Sequence, residues 1–142
     1  MDNDLNKIRY IKQEKIKVLG GDVYHVLKKS QESNFHFGEA YFSFIESNFI
    51  KGWKLHKKMN LNLCVPIGIV KFVFVSNDFK NHKTFQLGEE NYGRLNVPPN
   101  IWYCFKGISD QKSLILNLSS IEHDEKEVNK IQLDKFPLKI KL

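Results

Sequence analysis

With 142 residues, a formal charge of +6, 42% hydrophobic and 27% charged content, the chain has the balance of one soluble globular domain, not of a disordered or fibrous protein. A domain of this length buries roughly two-thirds of its unfolded surface and needs no staples, and 11 Phe, 5 Tyr and 2 Trp can furnish an aromatic core. The lysines run from Lys7 to Lys141 without a dense stripe, which argues against a nucleic-acid binder and leaves phosphorylated small molecules as fitting anionic partners.

The N-terminus, MDNDLNKIRYIKQEK, is too polar for a secretory signal, and no run reaches the roughly 18 apolar residues of a membrane span. A cytoplasmic protein without membrane attachment is expected. Residues 5–18 read as one or two short strands, and Gly20-Gly21 supplies the turn of a hairpin that continues into Val23–Lys29. After the polar Ser30–Asn34 loop come strands at Phe37–Ile45 and, past a turn at Glu46–Asn48, around Lys51-Gly52-Trp53-Lys54. The stretch NLCVPIG from Asn62 is a strand that Pro66 interrupts, marking a strand end or an edge. IVKFVFVSND follows as the most β-prone run of the chain.

A loop at Ser76–His82 leads to short strands at Thr84–Leu87 and Leu95–Val97, then Pro98-Pro99-Asn100, then strands at Trp102–Lys106 and Leu114–Leu118. The charged EHDEKEVNK carries a turn or two of helix near Asp124–Val128, and an extended stretch lies around Ile131–Leu133. The tail Phe136–Leu142 is expected to pair with another strand or another subunit. Cys64 and Cys104 sit in apolar runs with no Cys-x-x-Cys or Cys/His cluster, so both are expected as buried free thiols. Roughly nine strands separated by turn signals predict an all-β single domain over residues 1–142, a sandwich or small barrel with a jelly roll as the leading choice.

Chemistry is placed on the strand that holds Lys54 and His56. Strict alternation puts Ile50, Gly52, Lys54 and His56 on one face and Lys51, Trp53, Leu55 and Lys57 on the other, so two titratable groups enter one space. Glu39, Tyr41 and Ser43 likewise share one face of their strand, where they can meet a ligand.

Four pieces occur in an order that resembles one family: Gly38-Glu39-Ala40-Tyr41-Phe42-Ser43; Lys51-Gly52-Trp53-Lys54-Leu55-His56-Lys57; Asn91-Tyr92 through Leu95-Asn96-Val97-Pro98-Pro99; and Asn117 with His123-Asp124. Over residues 20–134 the chain is similar to the cupins related to dTDP-4-dehydrorhamnose 3,5-epimerase, a group that includes the sugar 3,4-ketoisomerases. The resemblance implies a jelly-roll cupin that dimerises and binds a nucleoside-diphosphate sugar with the sugar inside the barrel. Lys54 then stands at the position of the epimerase's basic histidine, and His56 matches the second histidine of the ketoisomerase pair. No tyrosine occupies Ser120–Glu122, where the epimerase's acid belongs. Lys51 stands where the family's phosphate-contacting arginine would be, giving charge without the bidentate fork.

The metal positions of other cupins correspond to Lys54, His56 and Tyr103, a set whose lysine repels a cation, so neither a metal nor another cofactor is expected. Proton transfer fits better, with His56, Lys54 and Tyr103 as the acid and base groups. Arg94 and Asn62 join Lys51, Glu39, Tyr41 and Ser43 as candidate substrate contacts. Lys57 and Lys58 read as solvated surface, and His25, His36, His82 and His123 as surface or capping residues. The expected activity is isomerisation or epimerisation of a nucleotide-linked sugar. Interconversion of pyranose and furanose rings, or binding of a sugar nucleotide or glycan without turnover, are the alternatives.

Overall fold

The computed structural model describes residues 4–142. In chain order its strands are β1 (Arg9–Lys12), β2 (Lys15–Ile16), β3 (Val23–Tyr24), β4 (Glu39–Ile45), β5 (Ile50–His56), β6 (Leu61–Ile67), β7 (Ile69–Ser76), β8 (His82–Gly88), β9 (Gly93–Val97), β10 (Ile101–Gly107), β11 (Ser113–Ser119) and β12 (Val128–Lys130). The helical elements among the described residues are short 3-10 turns, and none is long and apolar enough to cross a membrane.

Two five-stranded sheets, ordered β1-β9-β6-β11-β4 and β12-β5-β10-β7-β8, pack as the expected jelly-roll sandwich, while β2 and β3 pair separately. Leu63, Val65 and Leu95 of the first sheet meet Phe72, Phe74 and Tyr103 of the second in the core between them. The run Phe72-Val73-Phe74-Val75 is apolar throughout because both its faces are covered. Val73 and Val75 join Trp53, Leu55 and Trp102 on the outer face of the second sheet. There Phe136 stacks on Trp53 with ring centroids 3.9 Å apart.

Phe136–Leu142 therefore forms no strand. It lies across that outer face by burying Phe136, Leu138, Ile140 and Leu142. Three further local differences have clear causes. Only Val23–Tyr24 of the expected Val23–Lys29 strand is extended in a ladder, because the carbonyls of His25 and Val26 accept instead from Tyr92 Oη and Arg94 Nε, at 2.8 and 3.0 Å. Pro66 stays inside β6, at the point where the β6–β11 register shifts between Leu114 and Leu116. The helical turn is a 3-10 turn, Glu125–Glu127, capped by the Asp124 carboxylate, which accepts from the Lys126 N–H at 2.9 Å.

Candidate active site

Between the sheets a cavity of about 170 Å³ opens along β4 and β5. That exceeds many times the roughly 10–15 Å³ that admits one water, so it takes a small-molecule group. Its polar wall consists of Tyr41 and Ser43 from β4, Lys51 and Lys54 from β5, Tyr103 from β10 and Asn117 from β11. Leu63, Phe72, Phe105 and Ile115 form the apolar floor.

The alternation predicted for β5 breaks at one point. Tyr103 pairs with Lys54 and Phe105 with Lys51, but Cys104 pairs with Gly52, so β5 carries one extra residue at Trp53. This bulge leaves Trp53 in the outer cluster and brings Lys51 and Lys54, with Gly52 between them in the lining, together at the cavity. Lys51 is thus not on the face opposite Lys54, as strict alternation requires, and Ile50 packs with the outer cluster. The Lys51 ammonium donates to the Phe44 carbonyl at 2.6 Å. Partial burial, the cations Lys130 and Lys51 acting with it, lowers the pKa of Lys54, and Glu125 opposes this.

His56 is 7% exposed and does not line the cavity. Its Nε2 lies 3.2 Å from Tyr103 Oη, and its Nδ1 meets the Glu127 carboxylate. Glu127 Oε2 also accepts from the N–H groups of Lys57, Lys58 and Met59 at 3.1, 3.1 and 3.3 Å. Burial raises the pKa of the Glu127 carboxyl, but hydrogen bonds from His56 and these backbone groups outweigh it and hold the group below the ordinary carboxylate range. Burial first, then Tyr41 and Glu127, pushes the Tyr103 phenol well above its ordinary value. Tyr41 is raised as well, chiefly by burial, while its oxygen accepts from Asn117 Nδ2 at 2.9 Å.

Glu127 escaped the sequence reading, since it sits in a charged run 71 positions from His56. The available signal is the pairing of β12 with β5, which sets Val128 opposite His56 and its predecessor beside the imidazole. Two predicted contacts lie elsewhere. Arg94 and Asn62 do not reach the cavity, because Leu61, Leu63 and Leu95 are the inward residues of their strands. Arg94 is 0% exposed and binds Glu32 at 3.1 Å, Asn62 at 2.6 Å and the Val26 carbonyl, tying the 25–32 segment down. Glu39 also lies outside the lining, at the first position of β4, and reaches Tyr41 only through its charge. Lys57 and Lys58 are exposed, as are His36, His82 and His123, whereas His25 is half-buried.

No family model and no curated protein matches the chain. Solved structures do. A dTDP sugar isomerase from Desulfovibrio desulfuricans G20 matches at 29% identity and a TM-score of 0.85, over 90% of this chain and 85% of its own. A sugar 3,4-ketoisomerase from Thermoanaerobacterium thermosaccharolyticum, in complex with TDP, matches at 21% identity and 0.76, over 92% and 91%. A dTDP-4-dehydrorhamnose 3,5-epimerase from Elizabethkingia anophelis NUHP1 matches at 16% identity and 0.76, over 94% and 80%. The latter two establish the fold, and the first carries the likeness into the sequence. The resemblance drawn from the four sequence pieces is to the group in which these structures fall.

Proposed function

We infer that this chain, a cupin of the dTDP-sugar isomerase and epimerase group, is an enzyme that isomerises or epimerises a nucleoside-diphosphate-linked sugar, its own side chains serving as acid and base. One observation carries the reading: a single cavity holds two lysines and no carboxylate, beside a tyrosine backed by a buried His–Glu pair. The lysines suit an anionic diphosphate, the apolar floor suits a deoxygenated sugar, and the tyrosine with its histidine suits proton transfer next to a carbonyl. Lys51 is assigned to phosphate, Tyr41 and Ser43 to sugar or nucleotide. Tyr103, Lys54 and His56 are the proton-handling set.

A homodimer is proposed alongside, supported by the large apolar residues Phe37, Phe42, Phe44 and Phe49, which are exposed along and beside the edge strand β4. A related 3,4-ketoisomerase structure holds TDP-4-keto-6-deoxyglucose, which makes that ketosugar the first probe. Incubated with the protein in heavy water and followed by NMR, it is expected to take up deuterium at a carbon next to the carbonyl and to change configuration or keto position. A change of ring form without uptake selects the mutase reading, and binding without turnover across a panel of nucleotide sugars rejects an enzyme.

A further inference from the structure

Resting on the acid/base reading above, we propose that Tyr103 is the catalytic residue that meets the substrate proton, and that His56 and Glu127 stand behind it in series as positioning residues. The order follows from counting donors. Glu127, anchored by backbone N–H groups and ionised at neutral pH, can only accept. The imidazole nitrogen facing it, Nδ1, must therefore carry the proton. In the neutral ring this leaves Nε2 with a lone pair, and the group 3.2 Å from that lone pair is the Tyr103 hydroxyl. Tyr103 is thus the donor in this bond, and its oxygen keeps free lone pairs. Tyr103 lines the cavity, whereas His56, its ring stacked 5.9 Å away, does not.

The relay inverts the roles that residue type suggests, a histidine base and a tyrosine acid. The C–H bond next to the sugar carbonyl breaks, and its proton goes to Tyr103 Oη. At the same time the tyrosine's own proton passes to His56 Nε2, and the electron pair of the C–H bond moves into the carbonyl to give an enolate. No free phenolate forms, which suits a buried hydroxyl with a raised pKa. The product is an imidazolium paired with Glu127 and an enolate within reach of the Lys54 ammonium, since Lys54 is the ladder partner of Tyr103. Migration of the keto group is completed when Tyr103 delivers its proton to the former carbonyl carbon, His56 returns its proton to Tyr103, and the hydroxyl proton of the neighbouring carbon passes to the enolate oxygen, so that carbonyl and hydroxyl exchange places with no external oxidant or reductant.

The test begins with the unliganded protein, independent of turnover. In protein labelled with nitrogen-15 histidine, the His56 resonances, identified by their loss in His56→Asn, should show a protonated Nδ1 and an unprotonated Nε2. The Nε2 signal should shift in Tyr103→Phe. A protonated Nε2 in His56 overturns the relay whether or not the protein is an isomerase. With TDP-4-keto-6-deoxyglucose, Tyr103→Phe should slow deuterium exchange about 10²–10⁴-fold at unchanged TDP affinity. Glu127→Gln should lower kcat at constant KM, and Glu127→Asp should recover part of the loss, a pattern that general loss of fold would not give. If Tyr103→Phe exchanges at the parent rate while His56→Asn does not, His56 touches the substrate itself and the proposal is wrong. Absence of exchange in the parent protein removes the isomerase reading, and the tautomer still decides the order of the relay.

Discussion

Gly52 lies opposite Cys104 so closely that a Cβ on the glycine would come within 2.4 Å of the cysteine's Cβ. With φ at +148°, Gly52 also occupies a backbone region that side chains rarely adopt. The β5 bulge depends on both conditions, and through it so does the shared placement of Lys51 and Lys54. Gly52→Ala is expected to destabilise the fold by about 1–3 kcal/mol and to weaken TDP binding in the folded fraction. Urea denaturation and calorimetric titration measure the two effects, and an alanine variant with parental values for both removes the bulge from the account of the site.

Cys104 and Cys64 are fully buried, and burial pushes both thiols up to about 12. Nucleophilicity resides in the thiolate, so neither should react with iodoacetamide at about pH 8 while the protein is folded. Mass spectrometry should find no label on the native protein and two after denaturation. Rapid native labelling of either cysteine contradicts the packing described for that strand.

The strands from β4 to β11 are legible because Val, Ile and Phe alternate or run continuously between Gly and Asn turns, a signal that depends only on neighbours along the chain. What escaped is non-local. The inward turn of Lys51 depends on a register shift against β10, and no pattern within Ile50–His56 announces it. Arg94 reads as a phosphate ligand from its charge alone, yet a carboxylate 62 residues earlier neutralises it under a loop. Glu127 reads as solvated because its neighbours Glu125 and Lys126 are exposed, whereas the turn that Asp124 caps points this one carboxylate inward.

Arg94 supplies a test of that placement. Replacing it with Met leaves Glu32 to its pairing with Arg9 and takes the guanidinium donors away from Asn62 and the Val26 carbonyl, and is expected to cost roughly 1–3 kcal/mol. TDP affinity of the protein that remains folded should be unchanged, because Arg94 lies outside the cavity lining. A selective loss of affinity at constant stability would return Arg94 to the ligand site.

Acid sensitivity should originate in part from Glu127. Its folded-state pKa is depressed, so its contribution to stability is present above the unfolded value, about 4.3, and is lost as the pH falls through the folded one. Unfolding free energy is expected to drop on going from about pH 5 to below 4 in the parent protein. Glu127→Gln cannot titrate and should show a shallower drop over the same window, starting from a lower stability at neutral pH. Equal slopes in the two proteins would place the acid-labile groups elsewhere, with Glu32, also held low against burial by Arg9 and Arg94, as the next candidate.

Lys51 and Lys54 share a wall but should differ in what their removal does. The Lys51 ammonium is already fixed by the Phe44 carbonyl at 2.6 Å, which orients it at the cavity edge and leaves its other N–H bonds available to an anion. Lys54 has a lowered pKa through burial and two neighbouring cations, so its charge is the more conditional of the two and sits beside the proton-transfer group. Lys51→Ala should therefore weaken TDP binding by about ten- to a hundredfold, as expected for loss of one charge-assisted hydrogen bond, and flatten its dependence on salt between about 50 and 200 mM. Lys54→Ala should affect TDP less and ketosugar turnover more, because the ammonium is placed to meet charge that develops on the sugar and not charge already present on phosphate. Titrating TDP into both variants at the two salt concentrations, and measuring kcat and KM for the ketosugar, separates the roles. If Lys54→Ala carries the larger loss of TDP affinity and the larger change in salt slope, the assignments of phosphate holder and charge stabiliser must be exchanged.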